Sequence, residues 1–157
     1  MKKILIIQAF LMILIISGCG FKVVDQSKAS KFHIAEIYTS GDKRINFKLR
    51  NKLLFSSKEK QNNLLKVELR TNKKRTIKEK NIKNEITKYQ IHIYVLVKYG
   101  KINDLNSYEF SKTQSGEFNV TKQHSQTLNN EKKLIELLTE SLADDILEEL
   151  HVKINDL

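Results

Sequence analysis

The clearest pattern in the chain is an unbroken alternation from Thr87 to Tyr99. Tyr89, Ile91, Ile93, Val95, Val97 and Tyr99 fall on one face of an extended strand, and Gln90, His92, Tyr94, Leu96 and Lys98 on the other. The second face is mixed in character, which suits a sheet covered on one side and partly met by something else on the other. Leu65, Val67 and Leu69 alternate with Lys66, Glu68 and Arg70 and predict a second, half-buried strand. Aliphatic and aromatic residues at alternate positions from Phe32 to Tyr38 predict another. Ser107 to Lys112 predicts a strand pairing back on the long one, with Tyr108 and Phe110 on one face. Turns are expected at 100–106 and at Ser115-Gly116, with Phe118-Asn119-Val120 a short extended piece. The segment from Thr71 to Asn84 is dense in charge, and Ile77 and Ile82 are its only large apolar residues. It fits either an extended hairpin arm or a loop.

Two segments switch to helical spacing. After a Ser40-Gly41-Asp42 turn, Ile45, Leu49 and Leu53 recur every four positions between Lys43 and Leu54, with Lys48, Arg50 and Lys52 between them. This predicts an amphipathic helix with a wet, basic outer face and Asp42 as its N-cap. From Glu131 to Leu150, the residues Ile135, Leu138, Leu142, Ile146 and Leu150 form a stripe widened by Leu134 and Leu147. Asn130 is the expected N-cap, with Glu131 complementing the dipole. Glu148 and Glu149 sit unfavourably near the expected C-terminus, and the run Asp144-Asp145 to Glu148-Glu149 reads as a solvated face. Strands joined by tight turns and helices segregated to one side predict an α+β fold. The expected form is a two-layer sandwich, a mostly antiparallel four-stranded sheet with two helices on one face.

The N-terminal segment departs from both patterns. Lys2 and Lys3 precede an apolar run of 13 residues, Ile4 to Ile16, broken only by Gln8. A spanning helix needs about 20 residues, so the run reads as a secretory signal rather than a transmembrane segment. Ile16-Ser17-Gly18-Cys19 resembles the bacterial lipobox, and Cys19 is the only cysteine of the 157 residues. That resemblance implies lipidation of Cys19, cleavage before it and a third acyl chain on the new amino group. Several chains make the attachment effectively permanent, whereas one alone binds marginally. Residue 20 is Gly rather than the Asp linked to inner-membrane retention in enteric bacteria, so the outer membrane is the expected destination. The expected organisation is a signal peptide over 1–18, a lipidated cysteine and tether over 19–31, one domain over 32–152, and a tail over 153–157.

With the leader removed, the formal charge of +10 falls to +8. Residues 20–130 carry 23 Lys and Arg against 10 Asp and Glu, and residues 131–157 carry 3 against 8. A basic domain ordinarily suggests nucleic acid, but an exported, lipid-anchored protein does not meet it. The polyanions within reach are lipid head groups, lipopolysaccharide phosphates and acidic proteins. A Lys-, Asn- and Ile-rich chain without proline also fits an A/T-biased composition. A lipidated Cys19 leaves no disulfide, so packing alone must hold the domain.

Catalytic chemistry finds no foothold in the pattern. His33, His92, His124 and His151 lack metal-ligand spacing, no glycine-rich phosphate loop occurs, and the serines lack a nucleophile-elbow context. The expectation is a non-enzymatic binding or assembly protein without cofactors other than its covalent lipid.

Three segments together resemble the LptE family of lipopolysaccharide-assembly lipoproteins. They are Gly18-Cys19-Gly20-Phe21, the Ser40-Gly41-Asp42 turn leading to Arg50-Asn51-Lys52-Leu53, and Thr87-Lys88-Tyr89-Gln90 opening the long strand. The resemblance implies a domain that plugs the lumen of an LptD-type outer-membrane β-barrel from the periplasmic side. It also implies help in assembling that barrel and binding of lipopolysaccharide. Lys73, Lys74, Arg75, Lys78, Lys80 and Lys83, with Lys122 before the last helix, are the expected contacts to lipid phosphates. The alternatives are an inhibitor or scaffold of another envelope protein, which would present a protruding loop, and a carrier of a small apolar ligand, which would need an apolar cavity between sheet and helices.

Overall fold

A computed structural model describes residues 32–57 and 63–155; the signal peptide, Cys19 and the tether lie outside the described residues. Among the described residues six elements follow one another: β1 (His33–Gly41), α1 (Lys43–Ser56), β2 (Leu64–Lys80), β3 (Ile86–Lys101), β4 (Tyr108–Asn119) and α2 (His124–Asn155). The sheet order is β1-β2-β3-β4. β1 and β2 run parallel, joined through α1, and β2-β3-β4 is an antiparallel meander. Both helices pack on the same face of the sheet and against each other. The architecture is therefore the expected two-layer α+β sandwich with one open sheet face.

The alternation placed the core correctly. Leu65, Val67 and Leu69 of β2 and Ile91, Ile93, Val95 and Val97 of β3 are fully buried beneath Ile45, Leu49 and Leu53 of α1 and Leu142, Ile146 and Leu150 of α2. β1 breaks its own pattern. A register shift between Ile34 and Glu36 moves Ile37, not Tyr38, onto the helix side, opposite Val67. One irregular residue exchanges the two faces of a strand, because its side chains alternate with period two. Ile34 is buried, while Tyr38 stays 54% exposed on the open face.

Three expectations are corrected. Ser115-Gly116 is not a turn, because β4 continues unbroken from Tyr108 to Asn119. A Cβ at Gly116 would lie 2.7 Å from Leu134 Cδ1 of α2, so the glycine marks close helix–strand packing instead. Asn130 is not an N-cap, because α2 begins at His124, and Glu131 sits well inside the helix. The apolar stripe is silent about this first stretch, which carries few core contacts. Near it, Thr127 Oγ1 accepts from the Thr121 N–H at 2.9 Å and ties the entering chain to the first turns. At the other end the helix runs on through the expected tail to Asn155, with Ile154 buried and Lys153 in the last turn. Glu149 then precedes the terminus and pairs with Lys112 at 2.8 Å and Lys153 at 3.3 Å, which hold its carboxyl below the usual range.

The acidic run on α2 is more than a solvated face. Asp144 meets Lys52 of α1 at 3.4 Å, and Asp145 accepts from Gln114 Nε2 of β4 at 2.8 Å. These contacts help seat α2 against its neighbours, although exposed ion pairs contribute little each.

Candidate functional site

The charge-dense segment resolves into the hairpin arm. β2 runs to Lys80 and β3 begins at Ile86, and the pairing continues to Lys80↔Ile86 with irregularities around Glu79. A compact turn closes the tip. Asn81 Oδ1 accepts from the N–H groups of Lys83 and Glu85 at 2.9 and 3.0 Å, and Asn81 Nδ2 donates to Glu85 Oε2 at 2.7 Å. Asn84 adopts φ 62°, a conformation asparagine tolerates better than most residues. The side-chain bonds replace ladder bonds that the chain cannot make while it reverses. Ile82 stands fully exposed at the apex.

The fold divides the seven predicted cations, five of them on β2, Lys83 in the turn after it and Lys122 after β4. Lys73 and Arg75 project to the helix side. Lys73 Nζ lies 3.0 Å from Asp42 Oδ2, and Arg75 Nη1 lies 3.0 Å from Glu131 Oε2 while its guanidinium covers the Tyr89 ring at 4.5 Å. Lys78 meets Glu117 at 3.3 Å, beside Lys88, which bonds Glu79 at 2.8 Å. The Glu79 contact raises the Lys88 ammonium above its ordinary value against the opposing effect of burial. Lys80 donates to Asn84 Oδ1 at 2.9 Å. Lys74, Lys80, Lys83 and Lys122 are exposed and have no carboxylate partner among the described residues. The arm sets Lys80 and Lys83 at its tip, while Lys74, opposite His92, lies about 20 Å back along β2. The Val120 N–H bond to Thr87 O, at 2.9 Å, draws the segment ahead of Lys122 alongside.

Asp42 joins the arm to α1. Its carboxylate caps the helix by accepting from Arg44 N and Ile45 N, each at 3.1 Å. Its own N–H donates to Thr71 Oγ1 at 3.0 Å, and that hydroxyl donates to the buried Asn46 Oδ1 at 2.9 Å. Burial opposes ionisation of Asp42, but the Ile45 N–H and the Lys73 ammonium outweigh it and hold the carboxyl below its ordinary 3.8. Stability from a depressed carboxyl is present above the unfolded value and is lost as pH falls through the folded value. Asp42→Asn keeps a good cap but removes the charge. It is expected to lower stability by about 1 kcal/mol at pH 7, and the gap to the wild type should close as pH falls below 3.8. Urea titrations at pH 7 and at acid pH check this. A gap of equal size at both would show that the charge is irrelevant.

Among the described residues no group of three or more His, Cys, Asp or Glu is placed to hold a metal ion, and no helix is long and apolar enough to cross a membrane. The cleft where Asp42, Lys73, Lys132 and Ile135 meet measures ≈ 30 Å³, room for about one or two waters rather than an apolar cargo.

The fold has solved relatives. Rare lipoprotein B from Shewanella oneidensis superposes with a TM-score of 0.62 at 12% identity, covering 77% of this chain and 96% of that one. A protein from Caulobacter crescentus described as a lipoprotein gives 0.57 at 13% identity, over 83% and 95%. Lipoprotein B from Nitrosomonas europaea gives 0.50 at 12% identity, over 87% and 94%. The fold is shared. At such low identity the likeness extends to the architecture and no further. No protein-family model and no curated protein matches the chain in sequence.

Proposed function

We propose that this protein is an outer-membrane lipoprotein that plugs, and helps to assemble, a lipopolysaccharide-inserting β-barrel and binds lipopolysaccharide during its delivery to the outer leaflet. In this reading Cys19 carries the lipid, and the domain acts by contact, without a catalytic step or a cofactor. The observation that carries the proposal is the arm. It holds Lys80 and Lys83 without a carboxylate partner at a hydrogen-bonded tip with Ile82 at its apex, and Lys74 farther back on β2. Cations beside an exposed aliphatic side chain match a ligand that joins phosphates to acyl chains. The lipobox at 16–19 and a fold found in other lipoproteins support the location. Lys73 and Arg75 then serve to brace the arm against the helices, and Lys78 belongs to the carboxylate network around Glu117.

Replacing Lys74, Lys80 and Lys83 together with serine is expected to weaken lipopolysaccharide binding about tenfold in low salt, and less at high salt where exposed charges are already screened. Unchanged affinity in low salt would remove the arm from the site. A protruding arm also suits an inhibitor of another envelope protein. Detergent extraction through a tag on Leu157 separates the two readings. Stoichiometric recovery of a large β-barrel favours the plug, and its reproducible absence favours the inhibitor.

A further inference from the structure

The outer face of α1 is not the wet surface that its sequence predicts. The helix carries five cations, Lys43, Arg44, Lys48, Arg50 and Lys52, and no acidic residue. Its core side is Ile45, Leu49 and Leu53. At 100° per residue, Phe47, Asn51 and Phe55 fall opposite that stripe, flanked by Lys43, Arg44 and Arg50. Phe47 is 66% exposed and Phe55 91% exposed, on a helix otherwise well seated. Lys48 and Lys52 turn toward α2 and pair with Glu136 at 2.8 Å and Asp144 at 3.4 Å. Lys43 and Arg50 have no carboxylate partner among the described residues, and Arg44 forms no ion pair there, although, after Lys48, its charge helps to lower the Glu136 carboxyl across the cleft toward α2. Charge and apolar surface therefore lie together on the side of α1 away from the sheet.

A cleft lies beside this face. Thr39, Ser40 and Gly41 at the end of β1, with Lys43, Asn46, Phe47 and Arg50, line an open space of ≈ 420 Å³. Its lining offers two cations, two hydroxyls and no carboxylate, a composition suited to a phosphate head group. The position of the tether fits as well. α1 returns along β1, so its end at Phe55 and Ser56 lies toward the end of the sheet where the chain emerges before Phe32. The residues between Cys19 and Phe32 span at most about 45 Å when extended, longer than α1 itself at about 21 Å.

We propose that the Phe47–Phe55 face of α1 docks on an anionic phospholipid bilayer, with Phe47 and Phe55 entering the interface and Lys43, Arg44 and Arg50 meeting lipid phosphates. Basic amphipathic helices with aromatic residues lie in the interface plane for these reasons. Glu140 lies exposed on α2, whereas α1 has no acidic residue, so an anionic surface favours α1. This goes beyond the barrel reading and does not depend on it. A domain inside a lumen cannot lie on the bilayer at the same time, so the docked state belongs to the anchored protein before a barrel captures it.

The chain contains no tryptophan, so Phe47→Trp and Phe55→Trp each install a single reporter, and Tyr94→Trp on the open sheet face supplies the control. The full chain, purified from membranes in detergent, is returned to vesicles of phosphatidylglycerol or of phosphatidylcholine alone, with bromine-labelled acyl chains as quenchers. Neither vesicle contains lipopolysaccharide or a barrel, so this test and that of the proposed function fail independently. In phosphatidylglycerol, emission from positions 47 and 55 is expected to shift to the blue and be quenched, while that from position 94 is not. Serine at Lys43, Arg44 and Arg50 should reduce the docked-to-undocked ratio about fivefold per cation removed. Equal quenching at all three reporters, or none at 47 and 55, overturns the proposal. So does a blue shift that needs a co-extracted protein and occurs without bromine quenching, which would assign the face to a protein partner.

Discussion

Gly41→Ala is expected to lower the stability of the domain by about 4 kcal/mol, at the upper end of single-residue effects. Gly41 ends β1 with φ +100°, opposite Thr71 of β2 in the parallel pair. A Cβ there would lie 1.9 Å from Thr71 O and 2.9 Å from Thr71 C, both backbone atoms in the middle of the sheet. No rotamer relieves such a clash, and an alanine also resists that φ. Relief would separate β1 from β2, and with it the bonds from Asp42 N to Thr71 Oγ1 and from Thr71 Oγ1 to Asn46. These bonds set where α1 begins. A domain with a typical total of about 5–15 kcal/mol would lose a large share of its stability. The expected drop in melting temperature is roughly 10–20 °C, measurable by circular dichroism. A variant melting within a degree or two of the wild type would show that the strand end can move aside at little cost.

The second large effect is expected at Leu142. Its side chain is fully buried in the core that α2 closes over the sheet, alongside Ile146 and Leu150. Leu142→Ala removes methyl groups and leaves a void that a two-layer domain fills poorly from one side, at about 3 kcal/mol. Leu137→Ala, on the same helix but 64% exposed, is the matched control and should fall within about 0.5 kcal/mol of the wild type. Chemical denaturation of both variants gives the comparison. Equal losses would mean that burial does not set the cost at these positions. The difference matters for function because α2 braces the arm through Arg75 and Glu131 at 3.0 Å. A loosened α2 would free the basic segment without altering any of its lysines.

Much of this architecture is legible in the chain. Period-two alternation located the core faces of β2 and β3, and four-residue spacing located those of α1 and α2, because burial against one partner layer imposes exactly one apolar side on each element. Asp42 was legible as a cap because a short acidic side chain before a helix has few better uses. Where the pattern misled, a local residue was answering a distant one. Gly116 looked like a turn but lies in β4, beneath Leu134 of α2. Asn130 looked like a helix start, yet the helix begins earlier in a stretch with few core contacts. The irregularity between Ile34 and Glu36 reversed the faces of β1, which alternation alone cannot announce.

The candidate site divides in the same way. The sequence by itself determined that residues 71–84 concentrate positive charge, that Ile77 and Ile82 are exceptions within it, and that α1 has no acidic residue. These are properties of composition and order, and they survive any folding. Only the tertiary structure decided which cations are already occupied. Lys73 and Arg75 face the helices because strand alternation puts them there, and Asp42 and Glu131 wait at hydrogen-bond distance. Lys74, Lys80 and Lys83 have no carboxylate partner among the described residues. The two phenylalanines of α1 follow the same logic. Helical spacing sets their angle to the core stripe, but only packing reveals that Phe47 and Phe55 stay exposed. Charge is counted along the chain, whereas pairing and exposure depend on which distant groups the fold brings within a few ångströms.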